Sequence, residues 1–87
     1  MNQEIRMTVE ETIRGVLSDH GRLAIPVESL TDETDLFGAG MTSHASVNVM
    51  LALEDAFDIE FPERMLKKST FESVAAIRAG LVEMTAE

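Results

Sequence analysis

The sequence predicts an all-α fold: a bundle of four helices, with a long loop between helices one and two and a short third helix. Three observations point there. Apolar residues recur at helical spacing over several stretches of the chain, which lines their side chains up on one face. The apolar complement is Leu, Val, Ile, Met and Ala with four Phe and no Trp or Tyr, a composition that suits packed helices more than a pleated sheet. The run from Gly21 to Gly40 has no sustained period and is punctuated by Pro26, Asp32, Asp35 and Gly38, so it reads as the long loop.

The first helix is predicted from Gln3 to about Ser18. Ile5, Val9, Ile13, Val16 and Leu17 share one face, and Glu4, Arg6, Glu10, Glu11 and Arg14 fill the other. His20-Gly21 ends it, with Gly21 free to take the left-handed conformation that closes a helix. His20, in that last turn, reads as a C-terminal charge partner or a plain surface residue. A loop as long as the one that follows is usually functional or tied down by its own side chains, and Ile25, Val27, Leu30, Leu36 and Phe37 are the candidate anchors. Thr31–Asp35 reads as solvated loop or a single helical turn.

Helix two is predicted from Thr42 or Ser43 to about Phe57. Both residues are competent caps, and Gly40 can bend the chain into the helix. Val49, Met50, Leu53 and Phe57 form its core stripe. Val47 and Leu51 are apolar too, and with His44, Asn48, Glu54 and Asp55 they define a second face. A helix apolar on more than one side is either deeply buried or a surface for a partner. Pro62 suits the first turn of a short third helix to Leu66, because its missing amide is not needed there. Lys67–Thr70 then leads to a last helix, with Ser69 and Glu72 at capping-box spacing. Phe71, Val74, Ala75, Ile77, Leu81 and Val82 supply its apolar positions, and Arg78 is expected to face water. The core is centred on Met50, Leu53 and Phe57.

At 87 residues the chain is expected to be one domain, 1–87, with little stability to spare and its function on the surface or in a shallow site. Sixteen acidic residues against seven basic ones give a net charge of −9, which disfavours nucleic acid through phosphate repulsion and favours partners with basic patches. There is no cysteine, so disulfides and thiolate metal sites are ruled out, and any thiol must come from a cofactor. The longest uninterrupted apolar stretch, Val49 to Leu53, is far below a membrane span. Met1-Asn2-Gln3-Glu4 lacks the basic-then-apolar pattern of a secretory signal. A cytoplasmic protein, monomeric when free, is the expectation.

Few residues can do chemistry unaided. His20 and His44 lie far apart in the sequence, without metal-ligand spacing. Ser43 beside His44 suggests a nucleophile and base, but adjacent helical residues do not face each other, which disfavours a hydrolase. Asp55, Asp58 and Glu60 lack the glycine turn and closing glutamate of a calcium loop.

From Asp35 to Pro62 the chain reads Asp-Leu-Phe-Gly-Ala-Gly-Met-Thr-Ser-His-Ala-Ser-Val-Asn-Val-Met-Leu-Ala-Leu-Glu-Asp-Ala-Phe-Asp-Ile-Glu-Phe-Pro. This segment resembles the acyl carrier protein family, in which an acidic-Leu loop and a glycine lead to a modified serine at the start of helix two. Leu53-Glu54-Asp55-Ala56-Phe57 sets the register and puts that serine at Ser43. The resemblance implies a non-enzymatic carrier of the acyl carrier type: a phosphopantetheinyl transferase attaches 4'-phosphopantetheine to Ser43, and the arm holds cargo as a thioester. The position suits it, since a phosphodiester there lies beside free backbone amides at the positive end of the helix dipole.

Thr42-Ser43-His44 stands where the family usually has Asp-Ser-Leu. Thr42 can still cap the helix, but the acid that helps the metal-dependent transferase dock is gone. His44 replaces a Leu that presses into partner enzymes, and acidic groups come only later, at Glu54, Asp55, Asp58 and Glu60. The stretch from Ala45-Ser46-Val47 through Phe57-Asp58-Ile59-Glu60-Phe61-Pro62 is similar to a subgroup of bacterial aminoacyl carrier proteins, loaded by class II aminoacyl-tRNA synthetase-like amino acid:[carrier protein] ligases. The resemblance thus implies an aminoacyl cargo, with His44, Val47, Asn48, Leu51, Glu54 and Asp55 as the partner face. The alternatives are an ordinary carrier for fatty-acid or polyketide synthesis, served by acyl-transferring enzymes, and an unmodified helical docking module.

Overall fold

The computed structural model describes residues 8–85. Three α-helices carry the fold among them: α1 (Val9–His20), α2 (Ser43–Phe57) and α3 (Val74–Thr85). No strand occurs in the described residues, and none of their helices is long and apolar enough to cross a membrane.

Helix α1 starts later than the apolar period suggests. Thr8, in extended conformation, accepts from the Glu11 amide at 3.0 Å, and the Glu11 carboxylate accepts from the Thr8 amide at 3.0 Å. This reciprocal box satisfies two orphan donors and fixes the first turn. The predicted start at Gln3, with Glu4, Ile5 and Arg6, lies outside the described residues. Ile13, Val16 and Leu17 are buried as the stripe requires, whereas Val9 is exposed. The C-terminus corrects another expectation. Gly21 stays right-handed at φ −76°, and the left-handed turn falls on Arg22 at φ 54°.

The loop between α1 and α2 is held by backbone bonds as well as side chains. Leu30, Leu36 and Met41 are buried, Val27 and Phe37 are partly buried, and Ile25 is exposed. The Leu36 amide donates to Glu72 O at 2.8 Å, and the Ala75 amide donates to Asp32 O at 2.9 Å. The second bond satisfies one of the orphan amides in the first turn of α3. Gly40 has φ 113°, and a Cβ there would come within 2.9 Å of the Ala24 amide nitrogen, so glycine is required at the entry to α2.

The four-helix expectation is corrected between α2 and α3. The predicted third helix is a single 3₁₀ turn at Glu63–Met65, followed by another at Lys68–Phe71. Ser69 and Glu72 form no capping box. Ser73 does that work instead, its buried hydroxyl accepting from the Ala76 amide at 3.0 Å. The second turn frees Phe71 to point inward, edge-on to Phe61 with ring centroids 5.2 Å apart at 71°. Val49, Leu53, Val74, Ile77 and Leu81 complete the core with the α1 stripe, while Met50 and Phe57, placed at its centre by sequence, are only partly buried.

The hydrophilic side of α1 is not simply solvated. Arg14 donates to Glu10 (3.2 Å), Asp32 (2.9 Å) and the Leu30 carbonyl (3.0 Å). Arg78, expected to face water, donates to Glu10 at 3.0 Å and lies 3.6 Å from Asp32. The network ties α1, the loop and α3 together. Side-chain hydrogen bonding with Glu10 holds the Asp32 carboxyl below the ordinary aspartate range, helped by the hydrogen bond from Arg14 and the charge of Arg78. Because the folded value is depressed, this stabilisation is complete above the unfolded aspartate range and fades as pH falls through the folded value. Urea titrations across pH are therefore expected to find Asp32→Asn less stable than wild type at neutral pH and to converge with it in acid; a constant gap down to low pH would reject the assignment.

Candidate functional site

The start of α2 divides two tasks between neighbouring hydroxyls. Thr42, in extended conformation, accepts from the Ala45 amide at 3.0 Å, and the first intrahelical bond runs from the Ser46 amide to Thr42 O at 2.9 Å. Ser43 is the first helical residue. It is exposed, and its hydroxyl has no hydrogen-bond partner among the described residues. The Ser43 and His44 amides precede the first intrahelical bond and face the positive end of the helix. Ser46, one turn on, is half-buried, and its hydroxyl donates to Ser43 O at 2.7 Å.

Ser43 lies on the wall of an open groove of about 350 Å³ between α2 and the segment leading to α3. The groove's apolar lining is Phe37, Val47, Met50, Leu66 and Phe71. Its polar residues are Ser43, Ser46, Lys67 and Lys68, with no carboxylate among them. Lys68 Nζ sits 4.8 Å from the centre of the Phe37 ring. Sequence reasoning passed over the groove's far wall. Lys67 and Lys68 read as a spacer, and only folding brings them opposite Ser43.

The predicted partner face separates into different environments. Val47 and Leu51 are 49% and 52% exposed, and Leu66 across the groove is 49% exposed, so apolar surface continues from α2 to the opposite wall. His44 and Asp55 are exposed and Asn48 is half-buried. Glu54 is engaged inside the fold, its carboxylate accepting from the Phe61 amide at 2.8 Å. The Glu54 carbonyl also receives the Asp58 and Ile59 amides as α2 ends with Asp58 left-handed at φ 55°. Of the two acids assigned to this face, Asp55 is the one left open. His20 and His44 stand on different helices, and the described residues contain no cluster of His, Cys, Asp or Glu suited to a metal ion.

Ser43 is thus an exposed serine at a helix start, beside an apolar groove and relieved of capping, so its hydroxyl is open to a reagent without cost to the helix. Residues 9–77 match the phosphopantetheine attachment site family, and the chain belongs to it: it is a carrier protein that takes covalent 4'-phosphopantetheine. It is 50% identical over 66 residues to an aminoacyl carrier protein of Agrobacterium fabrum, an alignment covering 76% of this chain and 80% of that one. Among solved structures, it resembles a carrier protein from Agrobacterium tumefaciens in complex with an engineered Bradyrhizobium japonicum glycine:[carrier protein] ligase and AMP. The TM-score is 0.82 at 45% identity, covering 84% of this chain and 97% of the other. A complex of the Bradyrhizobium japonicum ligase with glycylated carrier protein gives a TM-score of 0.70 at 27% identity, covering 82% and 95%.

Proposed function

We propose that this carrier holds a small amino acid as a thioester on a 4'-phosphopantetheine arm at Ser43, and that a separate ATP-using amino acid:[carrier protein] ligase loads it. What carries this reading is the release of the Ser43 hydroxyl, since Thr42 has taken over the cap. The residues present fit the group. The hydroxyl is accessible to a transferase, the amides of the first turn favour the phosphodiester anion, and no carboxylate lines the groove to repel it. When bound, the arm supplies the thiol that a chain without cysteine lacks. The carrier acts as a cytoplasmic monomer and meets its transferase and ligase in turn.

The amino-acid cargo is supported by the similarity to carriers seen with glycine:[carrier protein] ligase. Val47 and Leu51 offer an apolar centre for ligase docking, and His44, Asn48 and Asp55 form its polar rim. So small a patch makes a transient contact, which a shuttle requires. Val47→Asp or Leu51→Asp, placing a charge at that centre, is expected to lower ligase loading about 30-fold, the equivalent of ~2 kcal/mol for a central interface residue. The phosphopantetheine mass gain is expected to persist. Offering the modified protein to the host's ligases with amino acids and, separately, to acyl-transferring enzymes with fatty acids, with mass readout of the thioester, tests the cargo. Fatty acylation without aminoacylation would reject it.

A further inference from the structure

The only lysines of this strongly acidic chain, Lys67 and Lys68, stand side by side, and the segment that carries them is built to present them. The 3₁₀ turn at Glu63–Met65 is pinned by buried Met65, and the one at Lys68–Phe71 by buried Phe71. Between these anchors Leu66, Lys67 and Lys68 are exposed. The backbone there is fixed by the Lys67 amide donating to Met65 O at 2.9 Å and the Thr70 amide donating to Lys67 O at 3.1 Å. Lys67 borders both the groove beside Ser43 and a second cleft over Ala76, Ala79 and Gly80 of α3, and Lys68 lies over the Phe37 ring. Arg14 and Arg78 pair with Glu10 and Asp32, and Arg64 with Glu83 at 2.7 Å, whereas neither lysine has a carboxylate partner among the described residues. Glu63 and Glu72 flank the segment, but no acid lines the groove and none stands in the first turn of α2. The acids of α2 gather at its other end, where Asp55 is open. The surface thus has a basic and an acidic pole, and the half-exposed side chains of Val47, Leu51 and Leu66 supply apolar area between them.

Resting on the reading of this chain as a ligase-loaded carrier, we propose that Lys67 and Lys68 are the basic half of its docking surface, and that they fit a ligase face presenting carboxylates beside its apolar contact. The net charge of −9 taken alone calls for a basic partner. A uniformly basic face, however, gains at Asp55 and is repelled at the lysines. A face with carboxylates opposite Lys67 and Lys68 and a cation opposite Asp55 is matched at both poles, and only in one orientation of the carrier. Continuity with the α2 face supports the assignment, since Val47 and the two lysines border the same groove. The anchored turns and the Phe37 ring limit the freedom that the lysines lose on docking. Their ion pairs stay solvated, so each adds little to the strength of the complex. The lysines act on encounter and orientation, and release stays fast.

The test measures aminoacylation of fully phosphopantetheinylated full-length chains by the amino acid:[carrier protein] ligase, so that any effect on the transferase drops out. In the Lys67→Gln, Lys68→Gln double variant KM for the carrier is expected to rise about tenfold with kcat nearly unchanged, as for loss of electrostatic steering. The Lys67→Glu, Lys68→Glu variant is expected to rise further, and Lys67→Arg, Lys68→Arg to behave as wild type. Raising salt from about 0.05 to about 0.5 M is expected to lower wild-type kcat/KM, and that dependence is expected to flatten or reverse in the glutamine variant, where only repulsion remains to be screened. The unmodified chain, which carries no arm, is expected to inhibit loading of the modified wild type, and its glutamine variant to inhibit about tenfold more weakly. Equal KM and equal inhibition with and without the lysines, or a wild-type kcat/KM that rises with salt, would overturn the basic half of the surface while leaving the aminoacyl reading intact. A modified wild type that the ligase does not load at all would reject that reading, and this assignment with it.

Discussion

Ser43→Ala is expected to abolish the mass gain of one phosphopantetheinyl group on co-expression with a competent transferase, and with it all aminoacyl loading. Its helical circular dichroism and melting temperature are expected to stay close to those of wild type. The two halves of this expectation have the same origin. Ser43 is exposed and its hydroxyl supports no hydrogen bond of the fold, so removing one oxygen leaves the helix start intact. The capping bond belongs to Thr42, where alanine is expected to cost about 0.5–2 kcal/mol while leaving the Ser43 hydroxyl in place. Ser46 is a poor substitute acceptor, since its hydroxyl is half-buried and occupied by Ser43 O. Phosphopantetheine on the Ser43→Ala protein would sink the assignment.

The parts of this molecule legible in the sequence are those governed by local rules. The extent of α2 from Ser43 to Phe57 followed from cap chemistry and periodicity, and Gly40 was recognisable as the bend before it. The start of α1 at Val9 is set by the local box of Thr8 and Glu11, which the apolar period alone does not disclose. Toward α3, two serines four residues apart compete as caps. Ser69 has the better local spacing, yet the chain turns once more with Phe71 buried against Phe61, so Ser73 is the cap and α3 begins at Val74. No local pattern reveals that choice. The same holds around the groove: register singles out Ser43 as the candidate, whereas Lys67 and Lys68 are brought to the same groove only by tertiary packing. Glu54 likewise reads as a surface acid on α2, and only the fold turns it toward the Phe61 amide.

Leu53→Ala is expected to be far more damaging than Phe57→Ala, although the sequence places both residues at the centre of the core. Leu53 has no exposed surface and lies with Val49, Ile77 and Val74 in the fully buried centre, whereas Phe57, near the end of α2, keeps part of its ring in water. Removing a buried leucine loses the transfer free energy of its methyl groups and leaves a cavity that rigid helices only partly close, a loss of about 2–5 kcal/mol. Folding free energies are about 5–15 kcal/mol, and a chain of 87 residues belongs near the lower end. Leu53→Ala is therefore expected to be largely unfolded or to melt far below wild type. Phe57→Ala is expected to lose less, because its ring surrenders only part of its contacts, and Leu53→Met, which nearly conserves volume, less than about 1.5 kcal/mol. Urea midpoints followed by circular dichroism rank the three variants. A Phe57→Ala protein less stable than Leu53→Ala would place the centre of the core at the end of α2 and overturn this account of the packing.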